Sequence, residues 1–332
     1  MKPAIIALAG PDLTQPEADL LEAYPPAGVI LFKRNIDTPT RLAGLVGDLR
    51  ERLPPEAVLM VDHEGGRVAR LGPPNWRAHP AAGAIGTLYA QAPEDARRLA
   101  WLTGALIGLD CKDAGFDVVC APVLDVGTPT TTHAIGDRAY GFDPVAVAIL
   151  GQAMADGLLA AGIQPVAKHA PGHGHAAQDT HEALPHVSAA TDLTPEISVF
   201  QVCASLPWMM TAHILYMAID PTLPGTLSPI VINDVIRGTI GFDGVLVSDD
   251  LAMGALSGPA AARATAAIAA GCDLALHCSG QLDETATLLA ALPNISAHAL
   301  QRLARARKTA ARFHFQLDRR MLEADQDALT GW

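Results

Sequence analysis

A short apolar run returns eight times along this chain, each bounded by glycine or polar residues and followed by a helix-like stretch. The runs are Ala4–Ala9, Gly28–Phe32, Ala57–Val61, Asp117–Leu124, Ile163–Ala167, Trp208–Ala212, Gly244–Val247 and Asp273–Leu276. Continuous rather than alternating hydrophobicity over about four to eight residues suits strands buried on both faces, as in a parallel sheet. Between them lie amphipathic or alanine-rich segments, among them Arg41–Leu53, Pro93–Ala114, Pro144–Ala161, Pro229–Ile240 and Ala260–Ala270. Thr14 and Glu17 have capping-box spacing, and Gly162 and Gly271 stand where helices should stop. Eight strand–helix alternations in 332 residues predict one (β/α)8 TIM-type barrel rather than two doubly wound sheets. We expect a single catalytic domain over residues 1–332. Its charged C-terminal tail, from about residue 317, either packs as a helix outside the barrel or frays.

The polar residues follow the same rhythm. Lys33-Arg34-Asn35, Asp62-His63-Glu64, Asp125, Lys168-His169, His213, Ser248-Asp249-Asp250 and His277 each stand just after an apolar run. A barrel gathers all these strand ends on its catalytic face, whereas a doubly wound sheet collects them near one switch point.

Composition narrows the partners. A net charge of −12, with no basic run longer than two residues, argues against nucleic acid and anionic membrane as partners. Nothing approaches the roughly 20 apolar residues of a bilayer span, and the apolar start after Lys2 is too short for a signal peptide. The five cysteines are scattered without CxxC spacing, as free thiols in a reducing compartment would be. A cytoplasmic monomer is expected, with neither cofactor nor metal.

The densest polar segment runs from Lys168 to His181, with His169, His173, His175 and His181 in a Gly/Pro-rich stretch after the fifth apolar run. One reading is a Zn²⁺ site from His173 and His175, or from Asp179 and His181, though no HExxH pair on a helix accompanies it. The other is acid/base catalysis, since histidine titrates near neutrality and Asp179 can orient His181 and stabilise its protonated form. At the seventh run, Ser248-Asp249-Asp250 delivers two consecutive carboxylates. Neighbours at a strand end point in different directions, so one acid should face a substrate and the other a neighbouring loop, unless both cap the next helix. In Asp62–Arg70 paired glycines allow close backbone approach, while acidic and basic groups together can grip hydroxyls or an acetamido group. Ile135-Gly136-Asp137-Arg138 is ambiguous alone.

Together these motifs resemble glycoside hydrolase family 3, and within it the single-domain bacterial β-N-acetylglucosaminidases. The likeness runs in order through Gly28–Asn35, Asp62–Arg70, Ala121–Asp125, Ile135–Arg138, Lys168–His181 and Ser248–Met253. Its most specific part is Lys-His-x-Pro-Gly-His-Gly with a downstream Asp-x-His. The resemblance implies retaining removal of terminal β-linked GlcNAc, with Asp249 as nucleophile and His181, paired with Asp179, as acid/base. It also implies that Asp62, Arg70, Arg138, Lys168 and His169 hold the sugar. The small carbohydrate partner it implies is a peptidoglycan fragment, GlcNAc-anhydroMurNAc with or without peptide. Departures from the family pattern are Ala139-Tyr140, Ala170, His175 and Thr180. Other family 3 specificities, a β-glucosidase or β-xylosidase, and an inactive sugar-binding barrel are the rivals.

Overall fold

Alternate residues of each apolar run face opposite sides of one sheet, and both sides are buried. In a computed structural model, which describes residues 1–129, 131–176, 178 and 183–331, the runs form a closed, all-parallel barrel. Its strands are β1 (Lys2–Ala7), β2 (Pro26–Leu31), β3 (Val58–Val61), β4 (Val118–Val119), β5 (Gln164–Ala170), β6 (Trp208–Thr211), β7 (Val245–Asp250) and β8 (Leu274–His277). Each pairs with its sequence neighbours, and β8 closes on β1. The expected barrel is therefore the observed one.

Period-two alternation divides the core. Ile5, Ile30, Val58, Met60, Val118, Val166, Trp208, Met210, Val245 and Leu274 fill the barrel interior. Ile6, Val29, Leu59, Val119, Leu246 and Ala275 pack outward beneath the helices. Trp208, wholly buried, donates from its indole N–H to Gln164 Oε1 at 2.9 Å, so its polar atom is satisfied within the core.

Two segments depart from simple expectation, and for the tail one of the two expected outcomes is observed. The fourth strand is a two-residue ladder rather than all of Asp117–Leu124, because Pro122 has no N–H to pair. The chain nevertheless runs on beside β5, with Val123 bridging Lys168. The helix expected over 229–240 is a π-helix at Val231–Thr239. The tail packs rather than frays. Asp318 caps a helix at Arg319–Thr330, Arg319 pairs with Asp110 and Asp113, and Gln326 Nε2 donates to Thr103 Oγ1 at 3.1 Å. Thr14 and Glu17 form the expected capping box, and Gly162 and Gly271 take positive φ at their helix ends.

Candidate active site

Residues just beyond the C-terminal ends of the strands surround a cavity of about 440 Å³. Two sets of side chains meet there.

The first set is a lattice of opposite charges. Asp62 follows β3, and the chain then folds back through a hairpin, His63–Gly65 against Val68–Ala69. Its turn needs glycine twice. Gly65 and Gly66 both have positive φ, and a Cβ on Gly65 would lie 2.4 Å from the Pro80 carbonyl oxygen. His63 ties the hairpin shut, its Nδ1 accepting the backbone N–H of Arg70 at 3.2 Å. Burial, then the neighbouring His79, pushes the His63 pKa down to about 3, so the ring is neutral. The hairpin thus presents Asp62, Glu64 and Arg70 to the cavity. Lys168 Nζ lies 3.1 Å from Asp62 and 2.6 Å from Glu64. Arg70 reaches Asp62 at 3.2 Å. Arg138 grips Glu64 with two N–H donors at 2.8 Å each, the forked geometry that suits a guanidinium. Burial alone would raise both carboxyl pKa values. Lys168 with Arg70 reverses this at Asp62, and Lys168 with Arg138 holds Glu64 down to about 2. The same carboxylates push the buried Lys168 ammonium above its ordinary value, so it stays charged.

The second set is built from histidines, hydroxyls and backbone. Asp125 is fully buried: Oδ2 lies 2.7 Å from His169 Nδ1, and Oδ1 accepts the backbone N–H groups of His169 and His173. Burial works against its charge, but His169 above all holds its pKa down to about 2. A carboxylate only accepts, so His169 Nδ1 carries the proton, and the ring's other nitrogen has no hydrogen-bond partner among the described residues. Asp249 lies at the end of β7. One of its oxygens accepts the Asp250 N–H at 2.8 Å, and its own N–H reaches Thr211 Oγ1 at 3.4 Å. Burial would raise the Asp249 pKa, but His169, His213, the Asp250 N–H and Lys168 together bring it below its ordinary value. His213 Nε2 faces the Asp250 carbonyl at 2.9 Å and so donates, while its Nδ1 is 2.8 Å from the Thr226 hydroxyl. Burial lowers the His213 pKa and favours that neutral ring.

Asp250 does what its neighbour does not. Its Oδ1 accepts the backbone N–H groups of Ala252 and Cys278, both at 2.9 Å, joining the ends of β7 and β8. Burial raises its pKa, against the pull of those two hydrogen bonds. Both acids line the cavity, but Asp250 spends one oxygen on two backbone N–H groups that tie strand ends together, whereas Asp249 accepts one.

Asp62, Arg70, Arg138, Lys168, His169 and Asp249 are thus all brought to one cavity. Asp179, Thr180 and His181 lie outside the described residues. His173 and His175 do not converge: the His173 ring is buried edge-on to His169, whereas His175 Nε2 lies 2.7 Å from Glu196. At the substituted positions, Ala139 and Tyr140 are buried, as is Ala170 at the end of β5. Motif reading gave no role to Glu64, although it is the acid that holds both Lys168 and Arg138. Its position one residue beyond His63 in the turn was the available signal. Asp125 and His213 were visible only as polar residues after apolar runs.

A closed parallel barrel with a buried, ionised carboxylate at one strand end, beside a lattice of paired charges that can hold hydroxyls, has the makings of an enzyme that stabilises a cationic, sugar-like transition state. The chain belongs to glycosyl hydrolase family 3: the model of the Glycosyl hydrolase family 3 N terminal domain matches residues 5–309. A β-hexosaminidase of Alkalilimnicola ehrlichii is 40% identical over 287 residues, covering 83% of this chain and 80% of that protein. One of Methylococcus capsulatus is 37% identical over 298 residues, with 87% and 86% covered. Among solved structures, NagZ from Neisseria gonorrhoeae in complex with N-trifluoroacetyl-D-glucosamine superposes with a TM-score of 0.85 at 29% identity, covering 99% of this chain and 97% of that one.

Proposed function

We propose that this glycoside hydrolase is a retaining exo-β-N-acetylglucosaminidase. In this reading Asp249 attacks the anomeric carbon to form a glycosyl-enzyme, and His181, oriented by Asp179, protonates the departing oxygen. His181 then takes a proton from the water that hydrolyses the intermediate. Asp62, Arg70, Arg138, Lys168 and His169 hold and orient the sugar. The observation that carries the reading is Asp249 itself, an ionised carboxylate at a rigid strand end on the cavity wall, with no salt bridge to occupy it among the described residues. The β-hexosaminidase relatives, and the N-acyl glucosamine held by the gonococcal neighbour, support GlcNAc as the sugar.

The proposed substrates are GlcNAc-1,6-anhydroMurNAc and its peptide-bearing forms, released during cell-wall recycling by a cytoplasmic monomer. No described helix is long and apolar enough to cross a membrane. A 2-fluoro sugar, with fluorine in place of the acetamido group, or a 5-fluoro N-acetylglucosaminyl donor, followed by peptide mapping, tests nucleophile and reaction class together. A covalent adduct on Asp249 is expected; an adduct on Asp250 would overturn the choice between the two acids. Faster hydrolysis of the p-nitrophenyl β-glucoside than of the GlcNAc glycoside would overturn the sugar assignment.

A further inference from the structure

On the opposite face of the barrel, where β4 and β5 begin, lies a second, more open cavity of about 560 Å³. Helix Pro39–Arg52 contributes Arg50, the end of helix Pro93–Asp113 contributes Lys112, and helix Ala297–Phe313 contributes Arg307, with His314 just beyond it. In a chain of net charge −12 this is an unusual gathering of cations. One carboxylate shares the cavity, Asp117, and it is already engaged. Its Oδ2 accepts from Arg50 and from the backbone N–H of Leu59, each at 2.7 Å. Among the described residues neither Lys112 nor Arg307 pairs with any acid. The Lys112 ammonium stands 2.8 Å from His314 Nε2, to which it donates, and its other donors have no acceptor among the described residues. Arg307 donates to the Glu56 carbonyl.

A plain structural explanation covers part of this. Arg50 and Lys112 occupy last helical turns, where a cation complements the helix dipole. It does not explain Arg307, which sits in mid-helix, nor why the charges converge on a concavity instead of spreading over the surface. Uncompensated cations around one depression are the electrostatic complement of a multivalent oxyanion. Beside them Val46, Phe116 and Ala310 make an apolar wall.

We propose that this cavity binds a small phosphate-type anion, a diphosphate or a phosphate-bearing metabolite, held between Lys112, Arg307 and His314. The site is separate from the sugar pocket, since it lies at the starts of β4 and β5, and the far end of β5 carries Lys168 and His169. Calorimetric titration of the intact protein with inorganic pyrophosphate and with inorganic phosphate, at low ionic strength, tests it. Pyrophosphate is expected to bind with Kd below about 1 mM and more tightly than phosphate. Lys112→Ala/Arg307→Ala should weaken it at least about tenfold, with melting temperature and glycosidase rate unchanged. Lys112→Gln supplies the milder variant if the double substitution disturbs folding. Absence of binding by the wild-type protein, or undiminished binding by the folded variants, would overturn the proposal. So would loss of binding in Arg138→Ala alone, because it would place the anion in the sugar pocket.

Discussion

The two sides of the sugar pocket hold their carboxylates ionised by different means. On the hairpin side, Asp62 and Glu64 are each in direct contact with two cations, at 2.6 to 3.2 Å. Their charge is cancelled locally, which suits groups that orient a ligand without reacting. On the β7 side, Asp249 has no salt bridge to a lysine or arginine among the described residues; His169, His213, the Asp250 N–H and, last, Lys168 at longer range sustain its charge. A carboxylate neutralised by an ion pair is a poor nucleophile, since attack must first break the pair. One held ionised without a direct ion pair keeps its electron pairs available. The same residue type, in one cavity, thus meets two kinds of partner, which is the division that the proposed roles of positioning and chemistry require.

The sharpest way to break this contrast is to remove each kind of acid. Asp249→Ala should lower kcat by at least about 10⁴-fold while leaving the melting curve intact, whereas Asp250→Asn, whose amide oxygen can still accept from Ala252 and Cys278, should keep most activity. A wild-type rate in Asp249→Ala removes it as the nucleophile. His181→Ala should cost about 10²–10⁴-fold on substrates with poor leaving groups and far less on activated aryl glycosides. Equal losses on both would deny it the acid role. Glu64→Gln leaves Arg138 and half of Lys168's charge unmatched in a buried place. We expect about 3–5 kcal/mol of destabilisation and a loss in kcat/KM of roughly tenfold or more carried mostly by KM. A loss confined to kcat would move Glu64 from positioning to chemistry.

The smallest effect is a pH dependence of stability. Glu64 and Asp125 have pKa values brought down to about 2, below the unfolded values of about 4. Their stabilisation is therefore fully present above about pH 4 and disappears as the pH falls toward 2. Melting temperatures of wild type and Glu64→Gln should converge across that window. Parallel curves would mean that the Glu64 pairs contribute nothing to the acid limb.

Much of this architecture was legible in the chain because parallel strands buried on both faces leave long apolar runs, and Thr14, Gly162 and Gly271 mark helix ends by local chemistry. The short β4 was not, since the run Asp117–Leu124 conceals the missing donor of Pro122. The π-helix over Val231–Thr239 has an amphipathic pattern that an α-helix would share. Within the site, the likeness to family 3 pointed to Asp249, Lys168 and Arg138, all of which line the cavity. It could not show that Glu64 links Lys168 to Arg138, because that contact joins three segments far apart in sequence. Nor could it show that Asp125 fixes the proton on His169.

Trp208, plugging the barrel with Met60, Val118 and Leu274 at almost zero exposure, makes the pocket a cul-de-sac. On the proposed mechanism, a sugar seated against Asp249 would have no rear exit through the barrel, and the group attached to it would stand between it and the mouth. Departure would then be a queue: the aglycone first, water in by the path it vacates, and the freed monosaccharide last.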